Sequence, residues 1–299
     1  MPPQLVTRAS KVLEYDIFTA ADGTQYILHG PGGRSVLSDT GTGMPEIEYI
    51  TQRGPFQHGE SVRDFFLRPR VVEYHIRQVG CSRDQYWSLR SALLDILRPN
   101  RGINATLTKV LGDGTRRALT VTVQQGPKFE PRRPDRWDEF SIDEIIRFVA
   151  YNPVYYDPTQ NSVSFDALGG LTFPITFPIV FAASGGDSTV DYEGTWEEYP
   201  VFVITGPLSA VSIINTTTGE SIGLNYAIPA GRTVTIDLTY GVKSVTLDDG
   251  TNLIGYITNS SDLATFHLQP GINQLSVLGT GFVAGSAIAM TYYDRFIGI

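Results

Sequence analysis

The chain has 299 residues, of which 41% are hydrophobic and 11% aromatic, with a formal net charge of −8. That apolar content excludes general disorder, and the length suits two domains or one large β domain. The charge is unevenly spread: Met1 to Ala150 holds 20 Lys+Arg against 18 Asp+Glu (+2), and the rest holds 3 against 13 (−10).

Two domains with different surfaces follow from that asymmetry. The acidic half would repel a nucleic-acid backbone, which argues against sequence-specific nucleic acid binding. No apolar run approaches the roughly 18 residues of a membrane span. The opening MPPQLVTRASK lacks the apolar core of a secretory signal, so neither export nor membrane insertion is expected. Cys81 is the single cysteine, so no intrachain disulfide can form. His29, His58, His75 and His267 are scattered, without metal-ligand spacing. No metal and no cofactor are expected.

In chain order, Tyr26–Leu28 after the Asp22-Gly23 turn predicts a short strand. Gly30 to Gly59 is rich in Gly, Pro, Ser and Thr, with one apolar interruption at Ile47–Ile50. It reads as a long loop, ordered by a partner on assembly. GPFQHGESVRDFFLRPRVVEYHI (Gly54–Ile76) then places paired aromatics and two arginines around Pro69 directly before a β-branched run. Arg68, Pro69 and Arg70 read as the exposed edge portion of a strand whose later residues enter the core, since edges tolerate proline and charge. Ser82–Arg98 is the one main helix. Ser82 with Gln85 forms a capping-box pattern, and Tyr86, Leu89, Leu93 and Ile96/Leu97 share a face. Strands Ile103–Leu111 and Arg116–Gln125 follow, joined at Gly112-Asp113-Gly114.

Pro127–Trp137, PKFEPRRPDRW, breaks the pattern with prolines and cations and reads as a second segment ordered by assembly. Phe140 to Phe148 restores a period of two. The domain boundary falls between Asp157 and Phe173, giving an N-terminal α+β domain over 1–158, a linker over 159–172 and a C-terminal domain over 173–299. The last part has no convincing helix. Alternating runs at Val201/Val203, Ile222–Ile228, Val234–Leu238 and Ile288–Tyr292, separated by turn residues, predict an antiparallel β-sandwich or jelly roll. The fold class is therefore mainly β with one main helix.

Chemical motifs are sparse. Gly219-Glu220-Ser221-Ile222-Gly223 matches the nucleophile-elbow spacing, but strand alternation and Pro229 follow where a helix should stand. Asp39-Thr40-Gly41 matches the aspartic-protease triplet in a single copy, where that chemistry needs two carboxylates. His29–Gly33 offers glycines for a phosphate cradle, but Pro31 removes an amide donor. Glu197-Glu198 and Asp248-Asp249 point to opposite strand faces and do not converge by themselves. The sequons at Asn104, Asn215 and Asn259 carry meaning only on a secretory route. No catalytic residues are assigned.

The order of segments resembles the distal tail proteins of siphovirus-type bacteriophages and related gene transfer agents. The resemblance is carried by GTQYILHG (Gly23–Gly30), SVRDFFLRPRVVEYHI before a lone helix, IIRFVAYNPVYYDP (Ile145–Pro158), LQPGINQLSVLG (Leu268–Gly279) and MTYYDRFIGI (Met290–Ile299). It implies an N-terminal domain forming a hexameric ring and a galectin-like C-terminal jelly roll. It also implies an adaptor at the virion tail tip, assembled in the host cytoplasm. The implied partners are the tail tube protein above, and the baseplate hub and receptor-binding proteins below. Candidate oligomer and tube contacts are Glu46, Glu48, Arg53, Arg68, Arg70, Arg132, Arg133, Arg136 and Trp137, polar and aromatic groups suited to wet interfaces. The alternatives are a saccharide-binding tail accessory protein or lectin, on the strength of the sandwich, and a hydrolase built on Ser221 or Asp39.

Overall fold

The computed structural model describes residues 14–29, 34–80, 82–129, 141–165, 185–282 and 285–299. The chain divides into two compact units, Met1–Pro158 with Phe296–Ile299, and Thr159–Arg295.

The first unit is built on β1 (Tyr15–Thr19), β2 (Gln25–His29), β3 (Arg34–Thr40), β4 (Ile47–Gln52), β5 (Ser61–Leu67) and β6 (Arg70–Val79). Then come α1 (Arg83–Ile96), α2 (Pro99–Gly102), β7 (Ala105–Val110), β8 (Arg116–Gln125), β9 (Ser141–Ala150) and β10 (Tyr155–Tyr156). Seven strands run in the order β2-β1-β7-β8-β9-β6-β3. Strand β8 changes partner along its length: residues 116–121 pair with β7, and Thr122–Gln125 pair with β9 across a bulge. A bulge twists and bends a strand, so the sheet turns at β8. Alternation decides the faces. In β6, Val72, Tyr74, Ile76 and Gln78 are buried, and Tyr74 and Phe18 both pack on the Phe148 ring, at 6.1 and 5.3 Å between centroids. Helix α1 buries Tyr86, Leu93 and Ile96, and its Ser82 Oγ accepts the Gln85 amide at 3.2 Å. The predicted face and cap are thus the observed ones.

The second unit is an antiparallel sandwich of two sheets. One orders β11 (Asn161–Phe165), β19 (Ala287–Tyr292), β13 (Val201–Thr205), β16 (Thr233–Asp237) and β17 (Ser244–Leu247). The other orders β12 (Gly185–Tyr192), β18 (Gly271–Thr280), β14 (Ala210–Asn215) and β15 (Glu220–Leu224). Inward residues of both sheets form one core, with Phe202 and Phe266 edge to face at 5.7 Å. Asn215 is fully buried and donates to the His267 carbonyl at 2.9 Å, so its sequon is closed to modification in the folded chain.

Three expectations are corrected. Residues 34–40 and 47–52 are strands rather than part of a long loop, because β4 and β5 lack the alternation that marks a half-buried strand. Asn161–Phe165, assigned to a linker, is an edge strand paired along its whole length with β19. The closing residues Phe296–Ile299 leave the sandwich and join the first unit, where Phe296 packs against its core. The final two-residue strand, β20 (Arg295–Phe296), is where the chain crosses back.

On the solvent face of β6 and β9, Asp143 accepts Nε of Arg77 at 3.1 Å and also meets Nε2 of His75. Partial burial pushes the Asp143 carboxyl up, but the hydrogen bonds from Arg77 and His75 outweigh it and hold the carboxyl below its ordinary 3.8. A depressed carboxyl stabilises the fold above its unfolded pKa and loses that contribution as pH falls through the folded value. Thermal melts should therefore show a destabilisation from about pH 4 downward that is shallower in Asp143→Asn than in the parent chain.

Candidate assembly interface

Among the described residues, strands β4 and β5 pair with each other alone, as a two-stranded ribbon. Opposite residues share a face, so Tyr49 stands beside Phe65, and Glu48 beside Phe66. Tyr49, Ile50, Val62, Phe65 and Phe66 are each at least 42% exposed, and Phe56 at the tip is fully exposed. The ribbon carries aromatic surface on both faces. Its tip is closed by polar contacts: the Gly54 amide donates to Gln57 Oε1 at 2.9 Å and Gln57 Nε2 donates to Ser61 Oγ at 2.9 Å. Gly59 takes φ +79°, where a side chain is disfavoured. An isolated two-stranded hairpin is marginal in water, and contiguous exposed apolar surface marks an interaction site.

Four of the sequence-assigned contacts sit on this ribbon or at its root. Arg68 bridges Glu48 at 3.1 Å and Glu46 at 3.9 Å, with all three side chains at least half exposed. Arg53 donates to the Gln57 carbonyl at 3.3 Å. Exposed pairs of this kind contribute about 0–1 kcal/mol to stability, so they add little to folding. Arg132, Arg133, Arg136 and Trp137 lie outside the described residues. Sequence reasoning missed the aromatic residues of the ribbon. Phe65-Phe66, adjacent and therefore on opposite faces, were the available signal.

Arg70 is not an edge residue. It is 3% exposed, and its guanidinium donates to the carbonyls of Pro153 (2.7 Å), Gly41 (2.7 Å) and Ile297 (2.6 Å), and also to that of Gly43. The Tyr155 ring lies 4.7 Å from its Cζ. Desolvation lowers the Arg70 pKa, but an arginine starts so high that the charge remains. Burial likewise pushes the Tyr155 hydroxyl up to about 12.

The catalytic motifs are occupied structurally. Ser221 lies on β15, its amide donates to Asp262 Oδ2 at 2.9 Å, and the chain continues as strand where an elbow needs a helix. Asp39 is paired with Lys109, and buried Glu198 is paired with Arg295; Asp248 and Asp249 lie in the turn after β17 rather than on a strand, so, contrary to expectation, both converge on Arg232. Burial raises the Glu198 carboxyl, and Arg295 offsets part of that shift. His29 Nδ1 accepts the Val36 amide at 3.2 Å. Among the described residues no group of three or more His, Cys, Asp or Glu is placed to hold a metal, and no helix is long and apolar enough to cross a membrane.

Residues 193–296 match the family described as siphovirus-type tail component, C-terminal domain. That span is the sandwich from the approach to β13 onward. No curated protein matches the chain. Among solved structures, the chain is similar to the Dit protein of phage SPP1, described as a paradigm of the hub adsorption apparatus in Gram-positive-infecting phages. Identity is 12%, the match covers 94% of this chain and 99% of that one, and the TM-score is 0.63. It is also similar to a chain of the phage P2 baseplate in its activated conformation with calcium, at 12% identity, 96% and 100% coverage and a TM-score of 0.51. The resemblance to distal tail proteins read from the sequence thus holds in the family match over the sandwich and in the fold over nearly the whole chain.

Two outcomes are expected. Tyr49→Ser with Phe65→Ser should shift the assembled protein toward monomer in light scattering while changing the monomer's stability by less than about 0.5 kcal/mol, since both rings are exposed. Arg70→Ala should cost about 3 kcal/mol or more in urea unfolding, because the buried guanidinium's hydrogen bonds to four carbonyls are lost together. Arg70→Lys should recover only part of that, lacking the planar fork.

Proposed function

We propose that this protein is a non-enzymatic structural adaptor of a phage tail tip. Its first unit forms a hexameric ring that joins the tail tube to the baseplate hub and receptor-binding machinery, assembles in the host cytoplasm and resides in the virion tail. The observation that carries the reading is the β4–β5 ribbon, with exposed aromatics on both faces and, among the described residues, no third strand in its sheet. A ring gives every ribbon a neighbour, which is the arrangement that covers such a surface in all copies at once. The fold shared with the SPP1 and P2 proteins and the tail-component match over residues 193–296 point to the same place of action. The pairing of Asp39 with Lys109 and of Asp248 and Asp249 with Arg232, and the place of Ser221 on a strand with no following helix, support a role without catalysis.

Negative-stain imaging of the purified full chain is the test. Six-fold rings are the expected result. A protein that stays monomeric at tens of micromolar, with its fold intact by circular dichroism, sinks the ring.

A further inference from the structure

At one end of the sandwich, four separate segments converge on a single cluster. They are the approach to β13 (Glu197–Tyr199), the turn between β16 and β17 (Tyr240–Lys243), the start of β15 (Glu220) and the segment before β18 (His267). An antiparallel bridge between Glu198 and Leu268 holds two of them together. The rings of Tyr240 and His267 each lie 6.2 Å from that of Tyr199. Tyr240 is 70% exposed. Around the rings stand carboxylates: Glu197 accepts the Tyr199 hydroxyl at 3.0 Å, and Glu220 accepts the His267 amide at 3.2 Å and the Thr218 hydroxyl at 3.1 Å. Asp237, at the end of β16, accepts the Thr239 amide at 2.8 Å.

The turn carries two features that a plain strand connection does not need. Lys243 adopts φ +41°, a backbone conformation disfavoured for a residue with a side chain. Its Nζ is buried without a hydrogen-bond partner, 3.8 Å from the centroid of the Tyr199 ring. Buried ammonium donors are ordinarily satisfied, and strain combined with an unsatisfied donor is typical of sites shaped for something else. One turn hydrogen bond, Val242 amide to Thr239 carbonyl at 2.9 Å, holds the tip that carries Tyr240.

We infer that this cluster is a saccharide site, with Tyr240 as the stacking platform and Glu197, Glu220 and Lys243 as the polar frame. The chemistry selects the class. Carboxylates accept hydroxyl protons, the ammonium and phenols donate to hydroxyl oxygens, and an exposed ring faces apolar C–H groups. A pyranose presents all three partners at once. Three carboxylates beside one ammonium disfavour an anionic polymer, and the ammonium disfavours a simple cation. The neutral or N-acetylated sugar is the match. A sugar seated beside Tyr240 would bring an oxygen to the unsatisfied Lys243 donor. The inference does not depend on the ring adaptor reading, because it concerns the sandwich alone.

The test is calorimetric titration of the full-length protein with chitotetraose, cellotetraose and a galactan oligosaccharide, with sialyllactose as the anionic control. Saturable binding of at least one neutral or N-acetylated probe is expected. Tyr240→Ala should weaken it at least tenfold, and Tyr256→Ala, which removes another exposed ring packed edge to face on Tyr226, should leave it unchanged. Lys243→Gly relieves the backbone strain, so it should keep the melting temperature while weakening binding. Silence with every neutral probe, a preference for sialyllactose, or equal loss in Tyr240→Ala and Tyr256→Ala overturns the site. Ring formation by the same preparations is scored separately, so failure of the sugar site leaves the adaptor reading standing.

Discussion

A single buried guanidinium organises the first unit. Arg70 begins β6 and binds the carbonyls of Gly41, Gly43, Pro153 and Ile297, which come from three segments distant in sequence. Among the described residues, no carboxylate forms an ion pair with it. The cation is held by peptide dipoles and the Tyr155 face, which act strongly because the site is dry. The surrounding glycines follow from the close approach. A Cβ on Gly41 would lie 2.0 Å from the Val71 carbonyl, and one on Gly298 would lie 3.1 Å from that of Gly43. The chain's last residue donates to the Thr42 carbonyl at 3.1 Å. The ribbon of β4 and β5 leaves the body between Gly43 and Arg70, so the same interaction fixes both of its roots. At the root the Arg68 amide donates to the Glu46 carbonyl at 2.8 Å. An arm rooted this way projects in one direction and can serve as a specific contact.

The sandwich treats its exposed edge in the opposite manner. Strand β15 ends one sheet, and residues 256–262 run beside it. Asn225 donates to the Tyr256 carbonyl, Thr258 to that of Gly223 and Asp262 to that of Ser221. Ser261 Oγ and Asp262 Oδ2 take the amides of Gly223 and Ser221. This cover explains the GESIG motif physically. A Cβ on Gly223 would lie 2.6 Å from Thr258 Oγ1, so the glycine lets the covering segment approach this closely. Covering an edge suppresses uncontrolled strand pairing.

Wherever one face meets a core, the residues announce it. Helix α1 with its cap, β7 and β8 around the Gly114 turn, and the alternating strands of the sandwich were all legible because burial imposes a period of 3.6 or 2. The ribbon was not, since neither of its faces is buried in its own chain and its composition is that of a loop. Arg70 was misread for a related reason. Beside Pro69, arginine has the composition of an edge, and only carbonyls from distant segments, including one 227 residues away, make it a core residue. Composition also hid the crossing of Phe296–Ile299, because a four-residue return has no periodicity to read. The Tyr199–Tyr240–His267 cluster joins residues dispersed over some seventy positions, which no local pattern brings together.

Treatment of exposed edges is a physical indicator of what each unit is for. A monomeric fold gains nothing from a ribbon with aromatics on both faces: the rings weaken solubility and contribute little to stability where they stand exposed. Apolar area removed from water stabilises by about 25 cal/mol per Å², but part of any association's gain is consumed by lost translational and rotational freedom. A rigid arm reduces the ordering cost, because its root is already fixed by Arg70 before a neighbour arrives. The acidic sandwich, with its edge covered and like charges on every copy, resists pairing with itself. The ribbon thus presents apolar surface suited to association, whereas the acidic charge of the sandwich opposes pairing with itself.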